Sequence, residues 1–87
     1  MKIKDNFMLR KVADSFVVVP IGSAVADFNG MVNLNEAGAF LWQLLEKGST
    51  EQEMLSAMLE KYDVDESVAA NDISRFVNEV KEAGLLE

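Results

Sequence analysis

Hydrophobic and polar positions along the 87-residue chain change their period near Leu34. Before that point, apolar and β-branched residues come in short segments, which is typical of strands. After it they recur at spacings of three and four residues, which is typical of amphipathic helices. We therefore predict a small sheet in the first third of the chain and helices in the remainder, an α+β fold.

Two segments predict the first two strands. Apolar and polar residues alternate weakly in Phe7–Val12, and Phe16–Val19 is rich in β-branched residues. The intervening Ala13–Ser15 has the composition of a hairpin turn. Pro20 lacks a backbone N–H, so it should end the second strand or face outward.

The Asn29-Gly30 dipeptide is the strongest local signal in the sequence. Both residues tolerate the positive φ that a type I′ turn requires. The dipeptide therefore predicts a hairpin that pairs the region 25–28 with Met31–Leu34. The sheet as a whole should be three-stranded and antiparallel.

Three helices should follow the sheet. The first runs from about Asn35 to Lys47, and Gly48 should form a left-handed C-terminal cap. The second begins after Thr50, which forms a capping box with Glu53. The inner faces of these two helices should be Ala37, Phe40, Leu41, Leu44 and Leu45 in the first, and Met54, Leu55, Met58, Leu59 and Tyr62 in the second.

The third helix should be capped by Asp65 and should end in a Schellman turn at Gly84, with Leu85 packing back on Val80. A small sheet and three helices also describe a winged helix-turn-helix arrangement. The inner face of the third helix should be Ala69, Ile73, Phe76, Val77 and Val80.

The residue types restrict the possible chemistry. Cys and His are both absent, so disulfides, thiolate or imidazole metal sites and His-activated nucleophiles are excluded, and we expect no metal or organic cofactor. An enzyme that uses only carboxylates, Lys and Tyr remains an alternative. The longest apolar run, Phe16–Ile21, is too short to cross a bilayer, and no secretory signal is present. We expect one domain over residues 1–87, in the cytoplasm and not in a membrane.

Charge is unevenly distributed. Residues 1–34 hold four basic and three acidic side chains (+1), and residues 35–87 hold four basic and twelve acidic (−8), which together give −7. The third helix, where a recognition helix would lie, is mainly acidic. Phosphate backbones are repelled by such a surface, so we expect no nucleic acid partner, although a winged-helix regulator remains an alternative.

Several short motifs, in a fixed order along the chain, resemble the PqqD-like family of precursor-peptide recognition proteins, which includes coenzyme PQQ synthesis protein D. The resemblance spans about residues 8–86. It is carried by Leu9-Arg10, Val17-Val18-Val19-Pro20, Leu34-Asn35-Glu36-Ala37-Gly38, Leu41-Trp42, Gly48-Ser49-Thr50, Tyr62-Asp63-Val64, Val68, Asp72-Ile73 and Phe76-Val77.

The resemblance implies a non-catalytic function. Members of the family hold the leader of a ribosomally made precursor peptide and present it to a modifying enzyme, such as a radical SAM protein or a peptidase. The leader adds as a strand to the third β-strand and lies in the cleft beside the third helix. Carried onto this chain, the peptide-binding residues are Met31, Val32, Asn33, Leu34, Asp72, Phe76 and Glu79. A general protein-interaction adaptor is a further alternative.

Four single residues can also be interpreted from their positions. Trp42 lies off the main apolar stripe of the first helix, so it either packs internally, which we favour, or anchors a partner. Gly38 in a first helical turn indicates the close approach of another backbone. Arg75 is interpreted as a solvated side chain, and so is Asp72 apart from its family position.

The charge pattern generates a first prediction. At physiological salt the protein should not retain duplex DNA, because the −8 balance of residues 35–87 opposes phosphate contacts. An electrophoretic mobility shift assay checks this. Sub-micromolar binding that weakens steeply with added salt would instead favour the winged-helix regulator.

Overall fold

The computed structural model describes residues 1–22 and 32–87 of the chain. Within them, a three-stranded antiparallel sheet is followed by three helices, which confirms the α+β prediction. The elements are β1 (Phe7–Val12), β2 (Ser15–Pro20), β3 (Val32–Leu34), α1 (Glu36–Lys47), α2 (Glu51–Lys61) and α3 (Glu66–Glu82).

The sheet has the order β1-β2-β3, so β2 is central. A two-residue turn at Ala13 and Asp14 joins β1 to β2, with Val12 opposite Ser15. Ala13 adopts a φ of 55°, in the left-handed region that residues with a Cβ seldom occupy. As predicted, β2 ends at Pro20, which lies opposite Phe7.

The third strand pairs with β2 rather than with β1. Its three residues lie antiparallel to the first half of β2, with Leu34 opposite Phe16 and Val32 opposite Val18. The predicted Asn29-Gly30 turn, its partner segment 25–28 and Met31 lie outside the described residues, so this hairpin stays a prediction.

The helix ends follow the sequence signals closely. Thr50 and Glu53 form the predicted capping box. At the end of α3 the Leu85 N–H donates to the Val80 carbonyl (3.0 Å) and the Gly84 N–H to the Lys81 carbonyl (3.1 Å). These two bonds define a Schellman turn, and they bury Leu85 in the same core as Val80.

Two predicted caps differ in detail. Asp65 occupies the N-cap position of α3, but its side chain makes no capping hydrogen bond, so it contributes only its charge beside the helix dipole. Gly48 has a positive φ of 93° with a ψ of 126°, outside the left-handed helical region. The backbone after Gly48 is instead held against the N-terminus, where the Ser49 N–H donates to the Met1 carbonyl (2.8 Å).

The core lies between the sheet and the helices. Trp42 is fully buried at its centre, which confirms internal packing, and its indole N–H meets no acceptor among the described residues. The inner face of α3 is buried as predicted. The inner face of α1 is rotated from the predicted stripe, because this helix is covered on more than one side: its buried residues are Gly38, Ala39, Leu41, Trp42 and Leu45.

The predicted inner face of α2 is too wide. Met54 and Met58 are buried, Leu55 and Tyr62 are half-buried, and Leu59 is 37% exposed. Helix α2 packs chiefly against α3, so only a narrow stripe of its surface is covered.

The first residues of the chain are held against the ends of two helices. The Ile3 N–H donates to the Leu45 carbonyl of α1 (3.1 Å), and the Lys4 N–H donates to the Leu85 carbonyl after α3 (2.9 Å). Ile3 also forms an isolated antiparallel bridge with Leu86, and its side chain is only 3% exposed. Residues 1–4 therefore complete the core, a contact that the sequence did not predict.

We expect Ile3→Ala to lower the free energy of unfolding by about 2–5 kcal/mol, because it leaves a cavity in this core. Val12→Ala is the matched control, since Val12 is 58% exposed and its truncation should cost no more than about 0.5 kcal/mol. Urea denaturation checks both. Equal midpoints for the two variants would show that residues 1–4 do not contribute to the core.

Candidate functional site

A cleft of about 290 Å³ opens between β3, the start of α1 and the middle of α3. Each of these elements contributes to its wall, and α2 contributes one side chain. The described residues that line it are Asn33, Leu34, Asn35, Ala37, Gly38, Leu41, Met58, Asp72, Arg75, Phe76 and Glu79.

The floor of the cleft is apolar. It is formed by Leu34, Leu41, Met58 and Phe76, all of which are buried members of the hydrophobic core. Phe76 is 6% exposed, so it is a core residue whose remaining surface contributes to the cleft. An apolar side chain placed here would touch the same atoms that hold the domain together.

The rim on the α3 side is charged. Asp72, Arg75 and Glu79 are exposed, and their spacings of three and four residues place them on one face of the helix. In the described part of the chain, Arg75 makes no ion pair with either carboxylate. All three side chains are therefore available to a ligand in the cleft.

The opposite wall is the edge of the sheet. One side of β3 pairs with β2, and no strand within residues 1–22 and 32–87 pairs with its other side. An unpaired edge offers backbone N–H and C=O groups to an incoming strand. Asn33 at the middle of β3 is exposed and lines the cleft.

The connection between β3 and α1 forms part of the wall of the cleft. Only Asn35 separates the two elements, and its Oδ1 accepts a hydrogen bond from the Gly38 N–H (2.7 Å). A Cβ at Gly38 would lie 3.2 Å from this oxygen and 3.3 Å from the Cβ of Leu34. Gly38 is thus approached closely by two side chains and not, as predicted from the sequence, by another backbone segment.

The structure brings five of the seven predicted binding residues together around the cleft. These are Asn33, Leu34, Asp72, Phe76 and Glu79. Val32 lies half-buried in the same strand without lining the cleft. Met31 lies outside the described residues.

Other residues that line the cleft were not predicted from the sequence. Arg75 was interpreted as simply solvated, yet it follows Asp72 by three residues and precedes Glu79 by four, a spacing that could have placed it on the same face. Met58 and Leu41 were assigned only to the inner faces of their helices. No local pattern indicates that those faces reach the cleft.

No group of three or more Asp or Glu side chains within the described residues is arranged to hold a metal ion. Among the same residues, no helix is long and apolar enough to span a bilayer. The cleft combines an apolar floor, a charged rim and a strand edge that is unpaired within the described residues.

The model of the family of coenzyme PQQ synthesis protein D (PqqD) matches residues 15–86. The chain belongs to the PqqD family. Among solved structures, TbiB1 in complex with the TbiA(beta) leader peptide is similar to this PqqD-family chain, with 26% identity, a TM-score of 0.77, and coverage of 100% of this chain and 95% of TbiB1.

A lasso peptide synthetase B1 complexed with a leader peptide has the same fold as this PqqD-family chain. The identity is 20%, the TM-score is 0.74, and the match covers 97% of this chain and 93% of the synthetase. No curated protein matches the chain significantly.

Removing the cap at Asn35 tests the link between the β3–α1 connection and the cleft. Asn35→Ala and Thr50→Ala each remove an N-cap, and each should lower the free energy of unfolding by about 1 kcal/mol. Only Asn35→Ala should also shift the amide signals of Val32–Leu34, because Asn35 adjoins β3 and Thr50 does not. Two-dimensional amide spectra check this. Equal shifts of the Val32–Leu34 amide signals in both variants would contradict a specific role of Asn35 in positioning β3.

Proposed function

We propose that this PqqD-family protein is a non-catalytic binding module that holds the leader of a ribosomally made precursor peptide and presents it to a modifying enzyme. The leader adds as a strand along β3 and lies in the cleft against α3. The observation that carries this proposal is the unpaired edge of β3 beside an apolar cleft in the described residues.

Strand addition fits the two walls of the cleft. Backbone hydrogen bonds to β3 would supply affinity that does not depend on the leader sequence, and the side-chain contacts across the floor would set the register. Successive side chains of a strand point to opposite faces, so every second residue of the leader would face α3. Met31, Val32, Asn33 and Leu34 would form the strand side, and Asp72, Phe76 and Glu79 the helix side.

The relatives support the same class of ligand. TbiB1, at 26% identity over the whole of this chain, is solved with a leader peptide. Binding alone accounts for the features of the cleft, and no catalytic group is needed for it. The modifying enzyme, a radical SAM protein or a peptidase, would act on the bound precursor in the cytoplasm, and residues 1–87 would form a single domain.

The winged-helix regulator is less well supported. The exposed face of α3 beside the cleft carries Asp72 and Glu79 with only Arg75 between them. A helix that reads the major groove needs cationic contacts to the flanking phosphates. The charge of this face therefore favours a peptide over DNA.

Proline substitutions test strand addition. Successive N–H groups of a strand point to opposite sides, so one of Val32→Pro and Asn33→Pro removes an outward donor, and the other removes a donor that faces β2. The variant that removes the outward N–H should stay folded and lose leader binding, because proline lacks the donor and clashes with an added strand. The variant that removes the N–H facing β2 should have a lower free energy of unfolding. The measurement is calorimetric titration with the synthetic leader of a precursor encoded beside this gene.

Amide chemical-shift mapping of the unsubstituted protein accompanies the titration. Shifts should cluster on Val32–Leu34 and on α3 near Phe76. Phe76→Ala should also weaken binding, and it is interpreted only in a variant that circular dichroism shows to be folded, since truncation of a buried Phe costs about 3–5 kcal/mol. Shifts confined to β1, or to α1 and α2, together with normal binding by both proline variants, would rule out strand addition at β3.

A further inference from the structure

Among the described residues, the charge of the cleft comes from α3 alone. The lining residues of β3 and α1, among them Asn33 and Asn35, are all uncharged, and Met58 of α2 is apolar. Helix α3 contributes two carboxylates, Asp72 and Glu79, and one guanidinium, Arg75. The rim therefore has a net charge of −1, in a helical region whose own balance is −8.

The position of these carboxylates strengthens their effect. They are exposed to solvent on one side and border the apolar floor of the cleft on the other. Charges beside a low-dielectric wall focus their field into the cleft, where a ligand would experience it. Arg75 opposes this field, and no ion pair with Asp72 or Glu79 within the described residues neutralises it.

We infer that the cleft selects peptides in which a Lys or Arg accompanies an apolar residue at a spacing of two. The inference rests on the proposed function and names its ligand class. Along α3, Asp72 and Phe76 are separated by about 6 Å, and Phe76 and Glu79 by about 4.5 Å, from the helical rise. Residues i and i+2 of an added strand are about 6.6 Å apart on one face. In a strand that runs along α3, an apolar side chain over Phe76 would bring its i−2 or i+2 neighbour beside a carboxylate.

Arg75 has the opposite role in this selection. It is the one cation among the described lining residues, and it limits how strongly a basic peptide is held. Its replacement by Gln should tighten the binding of a basic peptide, whereas Asp72→Asn and Glu79→Gln should weaken it. Each change should be about two- to fivefold, the range of exposed charge pairs. Substitution of Arg75 and substitution of either carboxylate on the same face of α3 should thus change the affinity for a basic peptide in opposite directions.

The test uses messenger-RNA display of a random twelve-residue peptide library, because it requires no known leader. Selection against the unsubstituted protein should enrich peptides with Lys or Arg two positions from an apolar residue. Selection against the Asp72→Asn, Glu79→Gln double variant should lose this enrichment, and selection against Arg75→Gln should increase it. A Glu66→Gln, Glu82→Gln variant changes the net charge by the same amount outside the cleft lining, and should keep the enrichment.

Enriched peptides are then titrated into labelled protein at two salt concentrations. Binding should shift the amides of Val32–Leu34 and α3, and should weaken as salt is added. Peptides that bind the cleft with neutral or acidic composition, or an enrichment equal in all four proteins, would overturn the charge selection and leave the proposed function standing. No enrichment above the starting library, or shifts away from the cleft, would overturn the proposed function as well.

Discussion

The one-residue connection between β3 and α1 is the constraint on which the cleft depends. Asn35 directly follows the strand and caps the helix, and it is the only residue between them, so the sheet edge lies directly beside the first helical turn. Leu34 packs beneath this turn because Gly38 presents no Cβ to displace it. The distance from the strand edge to α3 is therefore set by packing in the core and not by a variable loop.

A second constraint comes from chain segments that are distant in sequence. Ile3 lies against Leu45 of α1 and against Leu86 after α3, which are more than forty and more than eighty residues away in the chain. The match to the PqqD family begins at residue 15, so these contacts and β1 lie outside it. The matched region thus forms the cleft, and an N-terminal segment outside the match contacts the ends of two helices.

Local structure followed the sequence where the signal was itself local. The capping box at Thr50 and the Schellman turn at Gly84 are backbone geometries specified within six residues, and both were predicted. The exposure of Leu59 and the burial of Ile3 were not, because they depend on which helix covers which face. A single helical period cannot distinguish a face covered on one side, as in α2, from one covered on several, as in α1.

The grouping of Asn33, Leu34, Asp72, Phe76 and Glu79 followed from family resemblance, since 31 residues separate the strand from the helix. Periodicity alone places Asp72 and Glu79 on one helical face but gives no information about what lies opposite. Arg75 was missed for a different reason. An exposed charge has no burial signature, and its relevance appears only when the cleft beside it is known.

The floor of the cleft consists of core side chains, so under the proposed function leader binding and folding would involve the same atoms. A bound leader would act as the missing outer layer of the core. By mass action, a ligand at one hundred times its dissociation constant adds about 2.7 kcal/mol to the free energy of unfolding. Since proteolysis in cells draws on the unfolded fraction, the lifetime of this protein would lengthen while its precursor is being synthesised and shorten once the precursor is consumed. The amount of this protein in the cell would then follow the amount of its precursor peptide without any dedicated regulator.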